Sequence, residues 1–525
     1  MSPQDDRPDL LHTAFIHVAK NRWGQFAMAD STGQRLTYGR ALVGAMLLAN
    51  RIARLTPGQE NVGLLLPATV GGALANIATL LAGRTPVNLN FTIGPQALAE
   101  AIVMAGIKTV FTSRVFLSKA GVAALPSMVF LEDIRNEIGG LAKIRTLVTA
   151  RLTSASQLAR RFSHGRRRDS LATIIFSSGS TGVPKGVMIS HANLMANVES
   201  LEQIFPMGPA DCFIGVLPFF HAFGLTGTLW FPLLQGCSVA YHPNPVDAKI
   251  VGELSETHRG SMLISTPTFC QSYLRRCTKE QFASLRFAIV GAEKLREPLA
   301  SAFREKFGIP LLEGYGCTEM SPVVSVNLPD GTRDGRPWIG TKFGSVGRPI
   351  PGVSAKIVDR DTGEGRLIDR EGLLLVKGDS MMVGYLNQPE RTAEVIRGGW
   401  YVTGDVARID ADGFIFITDR LMRFSKIGGE MVPHVKIEEA INEILGEASS
   451  AVTAVPDPSK GERLVAFYAR PDMAPDQLWE QLSGTDLPRL WLPKRDSIVQ
   501  IETIPTLGTG KVDLRRLREM AKELG

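Results

Sequence analysis

The sequence predicts an α/β protein: a large N-terminal domain of mainly parallel, helix-flanked sheets, an antiparallel β subdomain, and a small α+β C-terminal domain. Three observations predict it. From about residue 36 to 325, short apolar runs (VGLLL, TPVNL, KTVF, LATIIF, CFIGVL, SVAY, SMLIS and RFAIV) alternate with helix-like stretches, the pattern of buried parallel strands joined by helices. From about Gly344 the texture changes to Gly-rich alternating segments such as EGLLLVKG and DGFIFITDR, which read as antiparallel strands. After Arg420 come a helix-like run from Val435 to Leu445, two strand-like runs (AVTAVP and RLVAFYA) and a basic helix following Lys511. These suffice for a separate unit of about 100 residues. The expected domains are 1–419, with the antiparallel subdomain at about 340–419, and 420–525.

Composition narrows the class. A chain of 525 residues with 44% apolar content is folded and too long for one ordinary core. Its five cysteines (Cys212, Cys237, Cys270, Cys277 and Cys317) are odd in number and contain no C-x-x-C pair, so neither a disulfide framework nor a structural zinc site is indicated. The N-terminus MSPQDDRPDL is acidic where a secretory signal is basic and then apolar, and the expected location is cytoplasmic. Val62 to Gly83 carries no charge, but Pro67, Gly71, Gly72 and Asn76 interrupt it. It parses as a buried strand feeding a buried helix rather than a membrane span.

The net charge of +6 is mild, suits acidic partners and does not point to nucleic acid. Much of it is local: six arginines and no acid lie between Arg151 and Arg168. That segment reads as an exposed basic connection, either simply solvated or docking to an acidic partner or an anionic membrane surface.

The strongest motif is the run from Ser177 through Ser178, Gly179, Ser180, Thr181, Gly182, Val183 and Pro184 to Lys185 and Gly186, set between the strand-like LATIIF and VMIS. Its glycines let backbone N–H groups converge on an anion, and the hydroxyls and Lys185 add donors and charge. It is a phosphate loop but not a Walker A loop, because Pro184 and Gly186 stand where that motif needs Gly and Ser or Thr. In Gly314-Tyr315-Gly316-Cys317-Thr318-Glu319 a carboxylate beside a hydroxyl can hold Mg²⁺ and a phosphate oxygen, and the aromatic offers a flat face to a purine. Asp405, after a glycine turn, can accept ribose hydroxyl protons, and Arg420 supplies a fork of donors. Lys511, presented by Gly508-Thr509-Gly510, can enter a cleft and offset growing negative charge. Each of these after the phosphate loop is weak alone and gains weight from the others.

Together the motifs identify a resemblance that spans nearly the whole chain, to the adenylate-forming superfamily of acyl-CoA synthetases, adenylation domains and luciferases. Within it, LPFFHAFGLTG, VGAEKL, LEGYGCTEMSPVVSVN, RFSKIGGEMV and PTLGTGKVD most resemble the acyl-ACP synthetase half of bifunctional 2-acylglycerophosphoethanolamine acyltransferase/acyl-ACP synthetases. The acyltransferase half is absent, and His164 with Asp169 only copies its H-x4-D signature out of context.

The resemblance implies ATP and Mg²⁺ as co-substrate and cofactor, Tyr315 against adenine, Thr318 at the α-phosphate, Glu319 on magnesium, Asp405 and Arg420 on the ribose, and Lys511 as the adenylating lysine. It places His221, Phe220, Phe223 and Gly291 around the acyl group. His221 alone reads equally well as a packed core residue. It also puts Lys426, Gly428 and Gly429 on the face used for thioester formation. Met422 departs from the polar residue usual two positions after Arg420, at the hinge.

The resemblance also implies that an amino-acid-activating relative would carry an aspartate between Cys212 and Pro245 to pair with a substrate ammonium. There is no Asp or Glu there, so the acid is expected to have an uncharged, fatty tail, with Phe219, Leu225 and Trp230 also suiting it. The expected reaction is acyl-AMP formation and transfer to a phosphopantetheine thiol, with acidic acyl carrier protein favoured as acceptor. The alternatives are a long-chain fatty acyl-CoA ligase and a non-catalytic nucleotide-binding regulator. The regulator would be expected to have lost Lys185, Glu319 or Lys511, and all three are present.

Overall fold

The apolar runs become strands buried on both faces: Cys212–Gly215, Ser238–Tyr241, Met262–Ser265 and Phe287–Val290 are buried at every position. Such runs can sit only inside a parallel sheet covered by helices. In the computed structural model they form the middle of a nine-stranded sheet, ordered from one edge Arg348–Pro349, Val323–Val326, Leu311–Gly316, Phe287–Val290, Met262–Ser265, Cys212–Gly215, Ser238–Tyr241, Phe26–Asp30 and Arg35–Thr37. The six strands from Leu311–Gly316 to Phe26–Asp30 run parallel, and the edges are antiparallel. The structure describes residues 9–92, 95–177, 185–333, 336–359, 362–365, 367–420, 423–427, 430–457, 461–507 and 512–524.

A second, all-parallel sheet holds Thr85–Asn88, Asn61–Leu64, Val110–Thr112 and Met128–Phe130. The uncharged stretch 62–83 is therefore a strand followed by the helix Val70–Leu81, started by Thr69, whose hydroxyl accepts from the N–H of Gly72. Among the described residues no helix is long and apolar enough to cross a membrane.

Antiparallel pairing takes over where the sequence turns Gly-rich. Val353–Val358, Gly372–Gly378, Trp400–Ile409, Ile396–Arg397 and Ile415–Arg420 make one sheet. Leu171–Ser177, Lys185–Ser190 and Gly384–Tyr385 make another, in which Ser177 lies opposite Lys185 at the mouth of the phosphate loop. Beyond these, Phe424–Ile427, Glu430–Pro433, Ser450–Asp457, Gly461–Tyr468 and Ile498–Gln500 form a further sheet. Its apolar clusters are drawn entirely from residues 427–521 and share no member with the main core.

The basic segment differs from its expectation. It is more than a connection: the helix Gly140–Leu152 runs into it, and the helix Ala155–Ser163 fills half of it, opened by a capping box between Ser154 and Gln157. Arg166 is half-buried and donates to Thr85 Oγ1, the Leu171 carbonyl and the Gly83 carbonyl, a structural role rather than an exposed charge. His164 bonds the Leu81 carbonyl through Nε2 and Asp169 pairs with Arg167, so the two do not act together. All five cysteines are free thiols.

Candidate functional site

In an open parallel sheet the carboxyl ends of neighbouring strands part where the chain changes direction, and the crevice there binds ligands. Here the change occurs at Cys212–Gly215, flanked by Ser238–Tyr241 on one side and Met262–Ser265 on the other. Leu217, Pro218 and His221 follow that strand, Thr266 follows Met262–Ser265, and Gly291 and Ala292 follow Phe287–Val290; all line one cavity.

The strand Leu311–Gly316 gives the site its second wall. Its first half pairs in parallel with Phe287–Val290, while Gly314, Tyr315 and Gly316 pair antiparallel with Val323–Val326 across a bulge at Tyr315/Gly316. Bulges re-aim side chains next to active sites. A Cβ at Gly316 would lie 2.3 Å from the Pro322 carbonyl oxygen, so only glycine fits this hairpin. Thr318 and Glu319 then open a single 3₁₀ turn, Thr318–Met320.

The polar side chains near this strand are held in place by partners. The Tyr315 hydroxyl donates to Asp405 Oδ2, joining the expected adenine and ribose residues although they lie far apart in sequence. Asp405 is also in register with Arg420 across two antiparallel strands. Glu319 is buried, and Tyr385 donates to its Oε1 at 2.8 Å. Burial, then the Glu319 charge, pushes the phenols of Tyr385 and Tyr401 upward, so both stay protonated donors. Lys185 Nζ lies 5.4 Å from the centre of the Tyr385 ring. Its pKa is lowered by burial and by the nearby Arg391, with Glu319 acting the other way.

Glu319 fits a magnesium ion in one particular sense. Mg²⁺ carried by nucleotide phosphates uses one or two protein carboxylates and keeps its waters. A single ordered carboxylate beside the Thr318 hydroxyl matches that donor set. Among the described residues no cluster of three or more His, Cys, Asp or Glu forms a self-sufficient metal site.

The remainder of the cavity is largely apolar, with Thr266 and Ser325 as its neutral polar members. Leu201, Phe205, Phe223, Phe231, Met262 and Ile264 line it, and among its described lining residues there is no Asp, Glu, Lys or Arg. A π-helical turn, Leu225–Trp230, borders it and is tied across by the Thr226 hydroxyl donating to the Ser321 carbonyl at 2.9 Å. Its Gly227 lines the cavity, where a Cβ would come within 3.0 Å of Ile264. Gly291 is equally tight: a Cβ there would meet the Gly314 carbonyl oxygen at 3.2 Å.

The structure thus brings His221, Phe223, Gly291, Gly314, Tyr315, Gly316 and Thr318 to one cavity, with Glu319, Asp405 and Lys185 beside its polar end. Phe220 is a correction. It does not line the cavity but packs edge-on to Phe91, 4.9 Å between ring centres. Phe219, Leu225 and Trp230 are likewise core residues and not lining. Ser178, Gly179, Ser180, Thr181, Gly182, Met422, Gly428, Gly429 and Lys511 lie outside the described residues, as do the side chains of Arg420 and Lys426. Tyr385, Tyr401 and Arg391 are the residues that sequence reasoning missed. Nothing adjacent to them in sequence marks them, because their partners come from other elements, Glu319 from a 3₁₀ turn and Lys185 from a strand.

A model of the AMP-binding enzyme family matches residues 15–386. The long-chain-fatty-acid–CoA ligase of Bacillus subtilis is 31% identical over 358 residues, which are 67% of this chain and 62% of that protein. The sulfoacetate–CoA ligase of Cupriavidus necator is 29% identical over 481 residues, 89% of this chain and 90% of that one. The crystal structure of ATP-bound MatB from Rhodopseudomonas palustris superposes with a TM-score of 0.78 at 26% identity, covering 98% of this chain and 99% of that one.

Proposed function

Because the chain belongs to the AMP-binding enzyme family and is an ATP-dependent acid–thiol ligase, we propose that it activates an apolar, fatty carboxylic acid as its acyl-adenylate and passes the acyl group to a phosphopantetheine thiol. One observation carries the choice of acid. The cavity that reaches Thr318 has an uncharged wall of aliphatic and aromatic side chains, and a second charge on the substrate would be buried there without a partner.

In the proposed reaction the substrate carboxylate attacks the α-phosphorus of ATP in line and pyrophosphate leaves. The thiolate then attacks the acyl carbonyl and AMP leaves. His221 and Gly291 flank the carboxylate, Tyr315 lies against adenine, and Asp405 accepts from the ribose. Thr318 donates to the α-phosphate, and Lys185 with the loop from Ser177 to Gly182 holds the other phosphates. Magnesium, held by Glu319 and the phosphates, would supply positive charge to the leaving pyrophosphate. Tyr385 keeps that carboxylate oriented. Lys511 offsets charge as the carboxylate attacks. Residues 420–525 act as a small mobile domain that exchanges the Lys511 face for the face of Lys426, Gly428 and Gly429 between the two steps. In support, 427–521 has its own core, and an exposed pair, Lys294 with Glu439, links it to the large domain, a contact weak enough to break.

Acyl carrier protein is the acceptor favoured by the resemblance of the motifs. A specific observation favours a second reading, free CoA: the Bacillus subtilis and Cupriavidus necator relatives are CoA ligases by name. Electrostatic support for a carrier is also thinner than the arginine count suggests, since Arg166 is structural and Arg515 and Arg516 pair with Glu519. The proposed location is cytoplasmic, with peripheral contact at an anionic membrane surface. One assay tests acid and acceptor together: purified chain with ATP, fatty, aromatic and sulfonated acids in parallel, and CoA or holo-carrier as acceptor. A fatty acid preferred in pyrophosphate exchange supports the reading, and a preference for the sulfonated acid overturns it.

A further inference from the structure

The helix Gly140–Leu152 is amphipathic in the wrong sense for a soluble protein. Its buried residues are the small Thr146 and Ala150, while Leu141, Ile144 and Leu152 are exposed at 82%, 61% and 79%, and Leu147 and Val148 are exposed as well. At 100° per residue, 141, 144, 148 and 152 fall on one stripe opposite 146 and 150. The stripe does not come from a frayed end, because Lys20 Nζ donates to the carbonyls of Ala150 and Arg151 at 2.8 and 2.9 Å and ties the last turn down. The fold therefore holds about 16 Å of apolar ridge toward the outside. Contiguous ridges of this kind mark interaction surfaces.

The charge around the ridge says what covers it. From Ile138 to Arg168 there are eight basic residues and no acidic one. Lys143 and Arg145 sit on the helix itself, and Arg160, Arg161, Arg167 and Arg168 are exposed on or just after the next helix, though Asp169 partly offsets Arg167. A second copy meeting this face about a two-fold axis would set these cations against themselves. An anionic lipid leaflet supplies what both features need, acyl chains for the ridge and phosphate headgroups for the arginines. At thirteen residues the helix is too short to span and would lie in the plane of the interface.

We propose that the outward face of the Gly140–Leu152 helix, together with Arg160 and Arg161 on the helix that follows it, docks the enzyme on an anionic membrane surface. This deepens the reading of a fatty-acid ligase, since an apolar acid partitions into such a surface, but the docking itself depends on no substrate.

The test is flotation of the full chain, without ATP or acid, with vesicles of phosphatidylcholine alone or containing phosphatidylglycerol. The wild type is expected to float with the anionic vesicles and progressively less as salt rises. A triple variant, Leu141→Asn, Ile144→Asn and Val148→Asn, should partition at least about tenfold less, and Arg160→Gln with Arg161→Gln several-fold less. Both should keep wild-type pyrophosphate exchange on a water-soluble acid, which shows that the fold is intact. The proposal is overturned if the wild type stays at the bottom with anionic vesicles or if the triple variant floats like the wild type. A wild-type dimer that the triple variant turns into monomer would also overturn it. Flotation without any acid exchange would instead sink the ligase reading and leave the docking surface standing.

Discussion

The two ends of the site are built on opposite principles. At the proposed nucleotide end polar side chains hold one another, Tyr315 with Asp405 and Glu319 with Tyr385, while Lys185 lies near the Tyr385 ring. At the proposed acyl end the wall is assembled from Leu201 of the helix His191–Ile204, Phe223 and Phe231 on either side of the π turn, and residues of several strands, with glycines at 227 and 291 setting how close the backbone comes. Fixed dipoles aimed at developing charge lower a barrier without reorganising at the moment of reaction. An apolar wall only has to exclude water and match a shape. Changes at the nucleotide end should therefore cost rate, and changes at the acyl end should redirect selectivity.

The largest effect is expected at Lys511, proposed above to offset charge as the carboxylate attacks. Lys511→Ala should lower acyl-adenylate formation on the order of 100- to 1000-fold, the usual cost of losing one preorganised charge at the reacting atoms. Labelled pyrophosphate exchange at a wild-type rate would remove Lys511 from the mechanism. Next comes Glu319→Gln, expected to cost about 100-fold and to raise the magnesium concentration needed for half-maximal rate. Tyr385→Phe should cost about tenfold, because a hydrogen bond to a charged group is worth roughly 1.5–3 kcal/mol and Glu319 Oε1 would lose its donor. If Tyr385→Phe is silent while Glu319→Gln is not, the carboxylate needs no orienting and the contrast between the ends weakens.

A filled wall probes the other end. Ile264→Trp should shorten the longest acid accepted and cut its kcat/KM at least about tenfold, while the shortest accepted acid keeps most of its rate. Equal losses on long and short acids would mean that Ile264 supports the fold rather than the chain.

Some of both ends is legible in the amino-acid sequence itself. Strands such as Met262–Ser265 and Phe287–Val290 announce themselves because a run buried on both faces must be uniformly apolar. The Tyr315 to Glu319 cluster is legible because a turn keeps its chemistry contiguous. Tyr385, Tyr401 and Arg391 are not, since they lie on two other strands and the helix Pro389–Val395 and come near Glu319 and Lys185 only once the chain has folded. Phe220 misleads for a related reason: adjacent aromatics in Phe219-Phe220 look alike in sequence, and neither borders the cavity, which takes Phe223. The helix Ala155–Ser163 has a signal that the arginine run obscures, the S-x-x-Q capping box at Ser154 and Gln157.

The smallest effect concerns the point where the two ends meet. Glu313 precedes Gly314 and Tyr315 on the shared strand, is buried, and accepts from the N–H of Leu295 at 2.9 Å. Burial pushes its carboxyl up to about 7, with the Leu295 N–H and Lys294 pulling the other way. The folded state thus holds the proton more tightly than the unfolded chain, whose carboxyl titrates near about 4.3. Stability contributed here is complete below the unfolded value and declines as pH rises toward about 7, beyond which the penalty is constant. Glu313→Gln keeps an acceptor for Leu295 and removes the titration, so it should be neutral near about pH 4 and stabilising by up to about 3 kcal/mol near about pH 8. For a unit of this size that is a rise of roughly 3 °C in Tm, read by thermal unfolding of both proteins across that range. An offset that does not change with pH would show that the Glu313 carboxyl titrates alike in the folded and unfolded chain, so that burial does not hold its proton.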